Sequence, residues 1–144
     1  MRAFLTLSVV VLAACGGGGG AKVATVPFAP TAGAICTAAN AKLASLPDPG
    51  GTAKGVAAYA AGAQQINAEA LARLRVLEPP AATATAWRLY LVRLSEFITV
   101  TEEIATAAQG GDMARAGQLL GQARTIAEAT RHQAIAAGVA QCAE

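Results

Sequence analysis

ATATAWRLYLVRLSEFITVTEEIATAAQ, residues 82–109, is the stretch of sequence that decides the fold. Its large apolar side chains recur every three or four residues, which is the spacing of one face of an α-helix. The inward set comprises Trp87, Tyr90, Leu91, Leu94, Phe97, Ile98, Ile104 and Ala108. The alternation of apolar and polar residues that is typical of a strand does not occur, and Gly110-Gly111 ends the pattern. The stretch therefore predicts one long amphipathic helix.

The sequence on both sides of this stretch has the same helical character. We predict a first helix over residues 32–46, ended by Pro47 to Gly51, and a second from residue 52 or 53 to 77, ended by Glu78-Pro79-Pro80. A fourth helix is predicted over residues 113–137, with Asp112 as its N-cap and Gly138 after its end. Thr52 is the candidate N-cap of the second helix.

Four helices joined by short turns predict an all-α, up-down-up-down four-helix bundle. In that topology the start of the first helix and the end of the fourth lie at the same end of the bundle. Cys36 and Cys142 occupy those two positions. We therefore predict a disulfide between them, closing a loop of just over 100 residues, to which the chain-entropy model assigns roughly 4 to 5 kcal/mol. A redox or metal-binding pair would normally use C-x-x-C spacing.

The predicted core contains an unusual amount of alanine, which lets helix axes approach but buries little apolar area per residue. On the fourth helix the predicted inward stripe is Met113, Ala116, Leu120, Ala123, Ala127, Thr130, Ala134 and Ala137. Gly117 and Gly121 form a G-x-x-x-G step on the same helix. Because each glycine weakens a helix relative to alanine, we expect close backbone contact with a neighbouring helix there.

The first fifteen residues have the form of an export signal. Arg2 precedes an apolar run over residues 3–11, and Leu12-Ala13-Ala14-Cys15 follows. This motif resembles the lipobox of bacterial lipoproteins. The resemblance implies that Cys15 is linked by a thioether to diacylglycerol, that residues 1–14 are removed, and that the new N-terminus is anchored in a membrane. The alternative is an ordinary signal peptide cleaved near Ala14. The apolar stretch is too short for a transmembrane helix.

The chain accordingly divides into three parts. Residues 1–14 are the predicted lipoprotein signal peptide, residues 15–31 the lipid anchor and a flexible Gly/Pro-rich tether, and residues 32–144 the helical domain. The tether would reach on the order of 20 Å. The expected location is the cell envelope, on a bacterial membrane and facing the periplasm or the cell exterior. In general character, without a shared motif, the helical part resembles small alanine-rich lipoproteins of high-GC bacteria. This resemblance identifies no functional residue.

Charge and chemistry exclude several classes of function. The formal net charge of +2 includes Arg2, so loss of the signal leaves about +1, without the basic stripe that nucleic-acid binding requires. His132 is the single histidine, four residues after Glu128, and we expect an exposed pair. No catalytic triad, di-iron motif or haem-attachment motif is present. We therefore expect a non-enzymatic protein without a metal or other cofactor.

Two features favour binding. The predicted first helix is shorter than the other three, so one end of those helices is left partly uncovered, and Trp87 and Tyr90 lie near one end of the third. These rings are the candidate ligand groove, the alternative being ordinary core packing. Our first hypothesis is an envelope lipoprotein that binds a protein or peptide partner. The alternative is a carrier or sensor that holds a small apolar ligand between its helices.

Overall fold

The computed structural model describes residues 27–144, and four α-helices follow one another along this part of the chain. They are α1 (Phe28–Ala44), α2 (Ala53–Leu74), α3 (Ala84–Gln109) and α4 (Met113–Ala136), followed by a 3₁₀ turn over Ala140–Ala143. Residues 27–144 contain no strand. The predicted all-α four-helix bundle is confirmed. The predicted signal segment, Cys15 and the tether up to residue 26 lie outside the described residues.

The helix ends follow from local chemistry. The Thr52 hydroxyl accepts a hydrogen bond from the backbone N–H of Gly55 at 3.0 Å, and the Asp112 carboxylate accepts one from the backbone N–H of Arg115 at 2.9 Å. Each satisfies a backbone donor that the first helical turn leaves without a partner, so both predicted N-caps are confirmed. After α4, Gly138 has a φ of 77°, a left-handed conformation that ends the helix.

Helix α1 begins at Phe28, four residues before the predicted start, so residues 28–31 belong to the helix and not to the tether. Pro30 discouraged a helix assignment at this point. It is accommodated because it lies in the first turn, where backbone N–H groups have no intrahelical acceptor to lose. The Thr31 N–H already donates to the Pro27 carbonyl at 3.2 Å.

Helix α3 forms the centre of the bundle and packs along its length against both α2 and α4. Helix α1 packs against α2 and against the 3₁₀ turn, and it makes little backbone contact with α4. At the end of the bundle that holds the 3₁₀ turn, all four helices share one core. At the opposite end the core contains residues of α2, α3 and α4 without α1. Four helices therefore pack together at one end of the bundle, whereas only α2, α3 and α4 pack together at the other end.

The inward face of α4 differs from the prediction. Leu119 is buried at 1% exposure, whereas Leu120 is 42% exposed and Met113 is also exposed. Gly117 and Gly121 lie on the exposed surface, and a Cβ atom built on either would have no heavy atom within 4 Å. The predicted close helix contact at these glycines is therefore wrong. Residues one position apart differ by about 100° around a helix, so a small error in register moves a stripe from core to solvent.

The disulfide is confirmed. Cys36 of α1 and Cys142 of the 3₁₀ turn are bonded, with their Cα atoms 5.0 Å apart, which is within the usual range for a disulfide. Nearby, the Asn40 side-chain amide donates to the Gln141 carbonyl at 3.2 Å. These links hold the C-terminal turn against α1. Within residues 27–144, no helix is both long and apolar enough to cross a bilayer.

Candidate ligand-binding cleft

A cleft with a volume of about 400 Å³ runs between α1, α2 and α4 over one face of α3. It arises because α1 leans on α2 and leaves the side toward α4 open except at the 3₁₀ turn. Helix α1 has 17 residues, whereas α3 has 26. A shorter first helix was predicted, and the cleft extends from the residues of α1 that line it to Ile104 and Leu120, beyond the part of the bundle that α1 covers.

The floor of the cleft is one face of α3. Its residues are Tyr90, Leu94, Phe97, Thr101 and Ile104. They recur every three or four positions, so they form a continuous strip along the helix. At 1.5 Å per residue, the strip from Tyr90 to Ile104 is about 21 Å long. The cleft is therefore an elongated channel.

Alanine is the most frequent residue in the walls of the cleft. The alanines that line it are Ala39, Ala60, Ala63, Ala70, Ala123 and Ala127. Because an alanine side chain ends at Cβ, these positions leave space that a leucine would have filled. The largest lining side chains on α2 and α4 include Tyr59 and Leu120, and both are more than a third exposed. They therefore stand at the rim of the cleft and do not close it.

The interior polar groups of the cleft already have hydrogen-bond partners on their own helices. The Thr101 hydroxyl donates to the Phe97 carbonyl at 2.8 Å, and the Thr130 hydroxyl donates to the Ile126 carbonyl at 2.7 Å. The Asn67 amide donates to the Ala63 carbonyl at 2.9 Å. With these donors engaged, the cleft presents a mainly apolar surface to an occupant.

The disulfide forms one end of the cleft, since Cys36, Cys142 and Tyr90 all line it. The Tyr90 hydroxyl lies 3.7 Å from the Cys36 sulfur. Burial raises the pKa of Tyr90 to about 12, because a phenolate loses its hydration there. The ring therefore stays neutral at physiological pH and contributes an apolar face with a polar tip.

The two aromatic residues predicted as a ligand groove have different positions. Tyr90 lines the cleft, whereas Trp87 lies behind it in the core at 2% exposure. The Trp87 ring is stacked on Tyr90 with centroids 5.0 Å apart and meets Phe28 edge to face at 4.9 Å. Its buried indole N–H has no hydrogen-bond partner. Trp87 thus supports Tyr90 from the core side.

Two charged residues line the cleft, Arg131 of α4 and Glu144 after the 3₁₀ turn. Both are exposed, and both lie toward the disulfide end. Within the described part of the chain, Arg131 makes no ion pair within 4.0 Å. The opposite end of the cleft, around Ile104 and Leu120, has no charged lining residue. The cleft is therefore polar at one end and apolar at the other.

Away from the cleft, the predicted pair of Glu128 and His132 is exposed as expected, but the two side chains form no ion pair within 4.0 Å. The ion pair between α1 and α2 joins Lys42 to Glu69 at 3.0 Å. Hydrogen bonds from Lys42, and then from Gln65, lower the pKa of the Glu69 carboxyl. This pair helps to hold α1 on α2.

Among residues 27–144, no three His, Cys, Asp or Glu side chains are grouped so that they could hold a metal ion. The cleft suits the binding of an apolar ligand, because it is a long hydrophobic channel with one polar end. The alanine-rich stripes were visible in the sequence. The cleft itself depends on how α1 leans, which no local pattern specifies.

Comparisons of the chain with models of protein families, with curated proteins and with solved structures find no match.

Proposed function

We propose that this chain is an exported, lipid-anchored helical domain that binds a small apolar ligand in the cleft over α3. The observation that carries the proposal is the apolar cavity of about 400 Å³ lined by all four helices. Ligand pockets in proteins typically have volumes of about 300–1,000 Å³ and mostly apolar walls. The cleft satisfies both conditions.

The energetics favour an apolar occupant. Lining donors such as Thr101 and Thr130 already bond to backbone carbonyls, so water inside the cleft would find few partners. Each Å² of apolar surface that a ligand removes from water is worth about 25 cal/mol. A ligand would also gain dispersion contacts with the lining alanines Ala60, Ala63 and Ala123.

The sequence motif at Leu12 to Cys15 supports the cellular part of the proposal. A lipidated Cys15 would keep the domain close to a membrane, where apolar molecules are abundant. Export would also place Cys36 and Cys142 in an oxidising compartment, in keeping with their disulfide. The proposal assigns no catalytic step to the domain.

The second candidate function is the protein or peptide partner expected from the sequence. It is favoured by Leu89 and Val92, which lie three residues apart on α3 and are 44% and 48% exposed. In-cell cross-linking that captures one specific envelope protein, and loses it when both residues are changed to serine, would support this candidate. Unchanged capture by the double variant would count against it.

The cleft proposal is tested by filling the cavity. Ala63 lines the cleft, whereas Ala61 on the same helix is exposed and outside it, so Ala63→Phe and Ala61→Phe form a matched pair. We expect the fluorescent probe N-phenyl-1-naphthylamine to bind the wild type and Ala61→Phe, and to bind Ala63→Phe at least tenfold more weakly. Circular dichroism and thermal melting establish that both variants fold.

If Ala63→Phe does not fold, the half-buried Ala127 on α4 provides a second filling site, with the exposed Ala136 on the same helix as its control. Failure of the wild type to bind the probe would contradict the proposal. Equal binding by the wild type and a folded cleft-filled variant would contradict it as well.

A further inference from the structure

The dimensions of the cleft restrict what can occupy it. The cleft has a volume of about 400 Å³ and follows a floor about 21 Å long. Its length along α3 therefore suits a long, thin occupant such as a single extended chain.

Hydrogen bonding separates two kinds of extended chain. A peptide carries a backbone donor and acceptor at every residue, and each needs a partner when buried. The hydroxyl donors of Thr101 and Thr130 are engaged with their own helices, and the Asn67 amide uses one of its two N–H groups in the same way. Because polar lining groups are few, most backbone groups of a peptide buried there would lack a partner, whereas a hydrocarbon chain requires none. The lining therefore favours an alkyl chain.

The charged residues indicate the head group. Arg131 reaches the cleft at its disulfide end and makes no ion pair within 4.0 Å among the described residues. A guanidinium binds a carboxylate through two parallel hydrogen bonds. Glu144 lines the same end and would repel an anion. The opposite end is apolar, so the polarity of the cleft corresponds to a molecule with one charged end and one long apolar tail.

Resting on the proposed function, we infer that the cleft binds one long-chain free fatty acid. Its tail lies along α3 from Tyr90 to Ile104, and its carboxylate lies at Arg131. The occupant is a free acid because one tail and one carboxylate match an elongated apolar strip with a guanidinium at one end. Binding is non-covalent and involves no chemical step.

The first test uses cis-parinaric acid, a fluorescent fatty acid, as the probe. Trp87 is the single tryptophan and is stacked on Tyr90, which lines the cleft. Energy transfer from Trp87 to the bound probe therefore reports occupancy beside Tyr90. Displacement is then measured with palmitic acid, with 1-hexadecanol, which has the same chain without a charge, and with shorter acids. We expect affinity to rise roughly fourfold for each added methylene until the floor is covered.

The head group is tested with charge variants. Arg131→Gln is expected to weaken palmitic acid binding about two- to fivefold, the range for an exposed ion pair, and to leave 1-hexadecanol unchanged. Glu144→Gln is expected to strengthen palmitic acid binding. Arg124→Gln is the matched control, since Arg124 is exposed on the same helix and does not line the cleft.

The outcomes separate the two proposals. If Arg131→Gln weakens the binding of palmitic acid and of 1-hexadecanol equally, or weakens neither, the fatty-acid assignment is wrong. The proposal of a cleft that binds an apolar ligand is not contradicted by that result. If a diacyl phospholipid displaces the probe better than palmitic acid, the single-chain assignment fails. If no alkyl compound and no other apolar probe binds the wild type, the proposed function fails as well.

Discussion

Removal of the Cys36–Cys142 disulfide, by changing both cysteines to alanine, should strongly lower the free energy of unfolding. The bond spans a sequence separation of 106 residues. The chain-entropy relation assigns a loop of that length about 4.8 kcal/mol at 25 °C. This is an upper figure, since unfolded chains retain structure and the measured stabilisation is commonly smaller. We expect a loss of about 3–5 kcal/mol.

The loss of stability on removal of the disulfide should differ between parts of the molecule. Helix α1 packs against α2 and the 3₁₀ turn, while α3 packs against two long helices. Without the disulfide, α1 and the turn over Ala140–Ala143 lose their covalent link and depend on few remaining contacts. Amide hydrogen exchange should therefore accelerate most in these two segments and least in α3.

The loss in the free energy of unfolding is measured by guanidinium titration, with Trp87 fluorescence and far-ultraviolet circular dichroism as the two signals. Reduction of the wild type should reproduce the double variant, and reductant should leave the double variant unchanged. A loss in stability below about 1 kcal/mol would contradict the entropic reasoning. Equal acceleration of exchange in all four helices would contradict the view that the disulfide mainly holds α1.

Three further predictions concern single residues. Because burial raises the pKa of Tyr90 to about 12, the folded protein keeps a proton that the unfolded chain loses above about pH 10; stability should fall by about 2 kcal/mol between pH 10 and 12, and Tyr90→Phe should remove that part of the slope in alkaline denaturation curves. Thr52→Ala should cost about 1 kcal/mol in urea unfolding, whereas Thr83→Ala, at an N-cap without a side-chain capping bond, should cost less; equal costs would contradict the capping argument. Gly138→Ala should lower stability by about 1–2 kcal/mol because Gly138 has a φ of 77°. Gly117→Ala, on the exposed face of α4, should raise stability by about 0.5–1 kcal/mol. Melting temperatures that move in the same direction for both variants would contradict this account.

Features set by local chemistry could be predicted from the sequence. The caps at Thr52 and Asp112 and the glycine after α4 depend on residues within one helical turn, and each was located correctly. The disulfide could be predicted because short turns fix antiparallel neighbours, which brings the start of the first helix to the end of the fourth.

Features set by packing between distant helices could not be predicted. Leu119 and Leu120 are both good core residues, and the position of α3 decides that Leu119 is buried. The start of α1 at Phe28 coincides with the edge-to-face contact between Phe28 and Trp87, a tertiary contact that the local sequence does not indicate. The cleft depends on α1 leaning toward α2, and the alanines along its walls are equally consistent with closely packed helices.

Native mass spectrometry of the protein extracted from its own membranes tests the central claim most directly. The account predicts a chain that begins at Cys15 with covalent acyl groups and carries one non-covalent apolar ligand, which is lost on denaturation. It predicts that Ala63→Phe retains the covalent groups and loses the ligand, while Ala61→Phe retains both. A wild-type chain without any bound ligand, or a folded Ala63→Phe variant that retains it, would contradict the claim that the cleft over α3 is a binding site.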